Sequence, residues 1–217
     1  MGNHGLVIAH HLIFTAYGWW LPNDPRGSSS HMIRNDLIAT LGEIHYGRKR
    51  LQPCSSEIQS FYHQAATKLR FELSEFDCID IKLIGEAFSE CIRDCGYTCW
   101  GCAIMPDHVH ILIRKHRDRA EKIITNLQER SKWKLHDSDR RESLEHPVWG
   151  GSGWMVFLDH PDDIRRTVEY VEMNPVKIGR GVQRWDFVEE YNGWPLHEGH
   201  SPRSPYVKAL RKVGRYP

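Results

Sequence analysis

Met105-Pro106-Asp107-His108-Val109-His110-Ile111-Leu112-Ile113-Arg114 is the stretch from which the fold is read. Pro106-Asp107 makes a tight break, and the residues from His108 onward have the pattern of a β-strand. Successive strand side chains point to opposite faces. His108 and His110 therefore share one face, while Val109, Ile111 and Ile113 share the other and enter a core. Residues 97–105 are also β-rich, so 97–114 is predicted to be an antiparallel hairpin.

Working outward, residues 10–17 (HHLIFTAY) form another strand, running into a turn-rich loop with adjacent tryptophans, Trp19 and Trp20. Helical spacing covers 36–46, 56–72 and 80–94 on the N-terminal side of the hairpin, and 118–136 after it. Residues 154–158 are a short strand. Asp159-His160-Pro161-Asp162-Asp163 then starts a helix, with proline early and acids in the first turn. That helix is expected to run to about Met173 and to be broken by Asn174-Pro175 or by Gly179. Few strands alternate with helices and the central pair is antiparallel, which predicts an α+β layer fold: an antiparallel sheet with helices packed on it. The 217 residues suit one main domain, here residues 1–180, with a basic C-terminal tail over 181–217.

Composition narrows the function classes. No segment reaches the ~18 consecutive apolar residues of a membrane span, and the N-terminus lacks a signal-peptide pattern, so a cytoplasmic protein without a membrane partner is expected. The net charge of +1 gives no global hint of a polyanionic partner. The distribution says more: Arg48-Lys49-Arg50, the group Arg114, Lys115, Arg117 and Arg119, and the acid-free stretch 201–217 are local basic clusters of a kind that suits nucleic acid. Solvated surface is the competing reading of each. Of the six cysteines, Cys99 and Cys102 form a C-x-x-C. In a regular strand they face opposite sides, so buried reduced thiols are expected rather than zinc ligands.

Two imidazoles on one strand face can ligate one cation and leave positions for substrate oxygens. A histidine-triad hydrolase would need a third histidine where Leu112 stands, and the metal-dependent amidohydrolase barrels place such a pair near the first strand of a longer chain. On the last helix, Tyr170 and Asn174 are four residues apart and lie on one side, flanking the apolar stripe Ile164, Val168, Val171. Taken alone, Tyr170 reads better as a half-buried packing residue and Asn174 as a helix cap. Together with the histidines they offer a nucleophile, a cation and an amide oxygen. A tyrosine oxygen can attack phosphorus, and a cation beside it neutralises developing charge. Mixed nitrogen and oxygen ligands fit Mg²⁺ or Mn²⁺.

These two motifs, 105–112 followed about sixty residues later by Tyr170-Val171-Glu172-Met173-Asn174-Pro175-Val176-Lys177-Ile178-Gly179, resemble those of the single-tyrosine HUH transposases. Within that family the resemblance is closest to the REP-associated tyrosine transposases. The stretches 148–160 and His11-Leu12-Ile13-Phe14-Thr15 resemble the same group. The resemblance implies a ferredoxin-like HUH core and metal-dependent nicking of single-stranded DNA. It also implies a 5′-phosphotyrosine intermediate on Tyr170, and REP-like palindromic hairpins as substrate. His108 and His110 match the metal-binding pair, and Asn174 the polar residue that assists the metal.

For the DNA surface, Trp19, Trp20 and Arg26 in the first loop, Lys132 and Lys134 on the 118–136 helix, and Arg203, Arg211 and Lys212 in the tail are the candidates for stacking or phosphate contact. A hairpin-binding module without turnover is the alternative to a transposase. The active unit is expected to be a monomer or a homodimer, and either one chain or two would furnish the histidines and the tyrosine.

Overall fold

In the computed structural model the described residues are 7–192, apart from 29, 34, 142, 144 and 152, together with 208, 211, 212 and 214. The elements are β1 (Ala9–Thr15), α1 (Asp36–Ala39), α2 (Ser55–Ala66), α3 (Cys78–Cys95), β2 (Cys99–Ile104), β3 (His108–Arg114), α4 (Ala120–Asp137), β4 (Trp154–Leu158) and α5 (Pro161–Lys177). The four strands form one sheet in the order β2-β3-β1-β4, and every neighbouring pair is antiparallel. Without α1, α2 and α5, the path β1-α3-β2-β3-α4-β4 in this strand order is a ferredoxin-like α+β layer. The expected fold class is the observed one.

The alternation along β3 divides the sheet. Val109, Ile111 and Ile113 are fully buried with Leu12 and Phe14 of β1 against Ile84 and Phe88 of α3 and Ile123, Ile124 and Leu127 of α4. Helix α3 starts where the Asp77 carboxylate accepts from the amides of Ile79 and Asp80, at 2.8 and 2.9 Å. It stops at Gly96, whose φ of +70° ends the right-handed helix at little steric cost. Helix α5 covers the other face only in part. Val171 packs with Ala103 and Met105, and Ile164 with Ala9, Leu112 and Leu158. Among the described residues no helix is long and apolar enough to cross a membrane.

Several expectations are corrected. The helix expected over 36–46 is a single turn, Asp36–Ala39, because Gly42 adopts φ +140° and Leu37 points to solvent, leaving no continuous buried stripe. The helix expected to reach 72 ends at Ala66. Pro175 does not break the last helix, which continues to Lys177. A proline this close to a C-terminus forfeits one ladder bond, and Gly179 at φ +75° follows. Cys99 and Cys102 do not face opposite sides. A register shift between Cys99 and Gly101 inserts Trp100, and both thiols turn into the α3/α4 core. Burial pushes the Cys99 thiol up to about 12, and Cys102 well above its ordinary value.

The stretch after residue 180 also joins the domain. The Gln183 side chain donates to the Ile104 carbonyl and accepts from its amide, at 2.7 and 2.8 Å. The Glu189 amide donates to the Cys99 carbonyl at 2.8 Å, so this segment lies along the outer edge of β2. Trp185 rests on Gly85 of α3, where a Cβ would lie 2.1 Å from the indole ring.

Candidate active site

His108 and His110 are adjacent on the α5 face of β3, as their spacing requires, with ring centroids 4.9 Å apart. Each ring has its Nδ1 engaged. His108 Nδ1 lies 2.6 Å from the Asp107 carboxylate. His110 Nδ1 lies 3.0 Å from Nε2 of His11 on β1, and the two rings stack with centroids 5.1 Å apart. The strand register brings His11 there: Ile13 is opposite His110, and His11, two residues away, shares its face.

The electrostatics favour a neutral ring at His110. Burial, then the charges of His108, His11 and Lys177, drive its pKa well below the ordinary value. Burial alone lowers His11 to about 4. Burial pushes the Asp107 carboxyl up, but the His108 hydrogen bond and the nearby His108 and Arg26 charges outweigh it and hold the group below the usual range. A neutral imidazole with Nδ1 held by a partner, as at His110, presents Nε2 as the remaining donor, the arrangement a divalent cation uses. Among the described residues no cluster of three or more His, Cys, Asp or Glu is arranged for a metal. The histidine pair therefore fits a cation only with oxygen donors of another kind, such as an amide or substrate phosphate.

Helix α5 supplies such groups. The Tyr170 ring meets His110 edge-on at 5.4 Å and His11 at 6.2 Å, and its side chain is 42% exposed. One chain thus brings the tyrosine and both histidines together. Asn174, one turn on, is buried. Its amide nitrogen donates to the Tyr170 carbonyl at 3.0 Å, and its Oδ1 lies 3.5 Å from Lys177 Nζ. That ammonium also sits 4.2 Å from the Tyr170 ring centroid, a cation–π contact. Sequence reading missed His11 and Lys177. The period-two pattern of 10–17 carried the signal for His11, placing His11, Ile13 and Thr15 on one strand face. Lys177 lies seven residues after Tyr170 and three after Asn174, on the same side of the helix.

The model of IS200-like transposases matches residues 45–173, more than half of the chain. The chain belongs to the IS200-like transposase family. The matched span of this transposase includes His108, His110 and Tyr170, and ends one residue before Asn174. Among solved structures, a REP-associated tyrosine transposase bound to a REP hairpin is similar over 82% of this chain and 73% of its own, with 13% identity and a TM-score of 0.41. A Deinococcus radiodurans R1 protein assigned as a transposase is similar over 84% of this chain and 98% of its own, with 9% identity and a TM-score of 0.37. No curated protein matches the chain.

The transposase does not bring all of its candidate DNA-binding residues to this site. Trp19 packs on the core, and its indole N–H donates to the Ser74 carbonyl at 2.8 Å. Trp20 lies nearer, its ring 6.4 Å from His108 and 3.7 Å from the Arg26 guanidinium. Arg26 is engaged internally: Nε and Nη2 donate to the Asp24 carboxylate at 2.9 and 2.7 Å, and Nη2 also donates to the Tyr62 hydroxyl at 2.8 Å. Tyr62 in turn donates to Asp24. Lys132 and Lys134 are on α4, whose core side packs on the face opposite the histidines, and Lys134 is paired with Glu90 and Glu86 at 3.0 and 3.6 Å. Arg211 and Lys212 are exposed, and Arg203 lies outside the described residues.

Proposed function

We propose that this transposase cuts and rejoins single-stranded hairpin DNA of the REP-like palindromic type, with Tyr170 as nucleophile. The observation that carries the reading is the placement of the half-exposed Tyr170 ring against His110, whose other side is fixed by His11. His108, His110 and the Asn174 amide oxygen would hold Mg²⁺ or Mn²⁺. The present partner of that oxygen is already a cation, the Lys177 ammonium. The bound ion would neutralise charge on the scissile phosphate.

The chain's own residues do the rest. The Tyr170 oxygen attacks phosphorus as its proton leaves to water. The bond from phosphorus to the 3′ oxygen breaks, and that oxygen takes up a proton to become a free 3′-OH. The phosphorus stays on Tyr170 as a 5′-phosphotyrosine. Attack by a 3′-OH on that phosphotyrosine restores the DNA backbone and the phenol. His11 acts as a positioning residue: its Nε2 accepts from Nδ1–H of His110 and leaves Nε2 of His110 for the cation. Asp107 does the same for His108.

The test is incubation with end-labelled single-stranded hairpin DNA and Mg²⁺ or Mn²⁺. A covalent adduct is expected, and Tyr170→Phe is expected to lower its yield by at least about 10³-fold, since no oxygen remains to attack phosphorus. An adduct that persists in the variant refutes the nucleophile. A wild type that binds the hairpin without ever forming an adduct establishes a binding module instead.

A further inference from the structure

One half of the histidine face is left uncovered by α5. The strand register lines up Ala103, His110, Ile13 and Trp154 in one row across β2, β3, β1 and β4. Val171 of α5 covers the Ala103 end. At the other end Ile13 and Trp154 are only half-buried, and Val156, which is opposite His11 and so on the same face, is exposed. Tyr46 stacks on Trp154 with ring centroids 5.7 Å apart and planes 26° apart, and His31 stacks on Tyr46 at 3.8 Å and 18°. Tyr46 is 52% exposed even so.

This stack is held in place. The Ser28 amide donates to the His45 carbonyl and the Gly47 amide to the Ser28 carbonyl, at 2.9 and 2.8 Å, and the Lys49 amide donates to the Arg26 carbonyl at 3.0 Å. Gly27 approaches so closely that a Cβ would lie 2.0 Å from the Gly47 oxygen. The loop bearing Tyr46 is thus pinned to the loop whose Trp20 lies beside His108, with Arg26 over the Trp20 ring. Directly after it come Arg48, Lys49 and Arg50, of which Arg48 and Arg50 are exposed, and none of the three has a carboxylate partner among the described residues.

We infer that the Trp154–Tyr46–His31 stack and the adjoining Arg48-Lys49-Arg50 form a binding subsite for unpaired nucleotides of single-stranded DNA next to the phosphate at Tyr170. The inference rests on the nicking site proposed above. Two strand spacings separate Trp154 from His110 along the row, about 10 Å, so nucleotides adjoining a phosphate at the histidines reach the stack. Aromatic faces accept any base, and cations beside them hold the backbone, the combination that single strands require. The cations also supply the charge complementarity that favours DNA over an apolar partner on this face.

The experiment measures fluorescence anisotropy with the full chain carrying Tyr170→Phe, so that no cutting intervenes. The probes are a labelled hairpin with an unpaired flank and the same hairpin with blunt ends. Tyr46→Ala should weaken binding of the flanked hairpin about tenfold and leave the blunt hairpin within twofold, while Tyr46→Phe retains wild-type affinity. Arg48→Gln with Arg50→Gln should lower the salt dependence of binding to the flanked probe. Equal affinity of Tyr46→Ala for the flanked probe, or equal loss on both probes, overturns the subsite. The adduct assay with unmodified Tyr170 reports separately. An adduct with an unaffected Tyr46→Ala sinks the subsite alone, whereas a Tyr46 effect without any adduct sinks the nicking reading and leaves a stacking surface.

Discussion

The two faces of the sheet are built from alternate residues of the same strands, yet they differ in almost every property. The α3/α4 face is dry and closed, with Phe14, Phe88, Ile111 and Ile123 fully buried. The α5 face is half-covered and carries His11, His108 and His110 beside an exposed tyrosine. One face therefore holds the molecule together while the other is free to carry chemistry. A shift of one residue in the β3 register would exchange them. The contrast predicts that damage on the two faces separates cleanly into lost stability and lost function.

The sharpest test sets Phe88→Ala against Tyr170→Phe. Phe88→Ala opens a cavity between α3 and the sheet and should cost about 3–5 kcal/mol, measured by urea unfolding. Tyr170→Phe should leave the unfolding midpoint unchanged while abolishing the DNA adduct. A destabilised Tyr170→Phe would break the division between faces.

The dry face has one intruder. His10 points into it beside Phe157, and neither ring nitrogen has a hydrogen-bond partner among the described residues. Burial, reinforced by the Lys115 charge and opposed by Glu121, lowers its pKa from 6.5 to about 4. The folded state thus holds neutral His10 where the unfolded chain binds a proton. The His10 contribution to stability is complete above pH 6.5 and is lost as pH falls toward 4. The shift corresponds to about 3 kcal/mol across that window. His10→Phe should flatten this part of the stability–pH curve, and an unchanged slope would show that other groups set it.

On the functional face, His11→Leu should weaken Mn²⁺ binding about 10–100-fold, read by calorimetry, because His110 loses the acceptor that orients it. The unfolding midpoint should move far less than for Phe88→Ala. Unchanged Mn²⁺ affinity would remove His11 from the site. The smallest effect is expected at Lys177. Its ammonium opposes a neighbouring divalent ion, so Lys177→Met should tighten Mn²⁺ binding by a factor of a few, up to about tenfold. Weaker binding would assign the lysine another role.

Much of this contrast is legible in the sequence. The alternation 108–113 sorts its residues onto the two faces, and β1, α3, α4, β4 and the start of α5 follow from periodicity and end signals. Residues 36–46 mislead because apolar letters at helical spacing carry no information on whether a partner surface exists, and among the described residues Leu37 is left exposed. The site is half legible for a related reason. His108, His110 and Tyr170 sit in local motifs, whereas His11 meets His110 across 99 residues of chain, through a strand pairing that a linear reading does not fix. Arg26 reads as a free cation until the fold brings Asp24 and Tyr62 around it.

The position of β1 has a consequence in time. Among the described strands it comes first in the chain, yet its two neighbours in the sheet, β3 and β4, lie about 100 and 145 residues further on. Pairings this remote in sequence are slow to form and come after the local helices and the β2–β3 hairpin. His11 reaches His110 only when β1 has inserted between β3 and β4, and Tyr170 arrives only once α5 has been synthesised. A growing or half-folded chain therefore presents hairpins and helices but not the assembled cluster of His11, His110 and Tyr170.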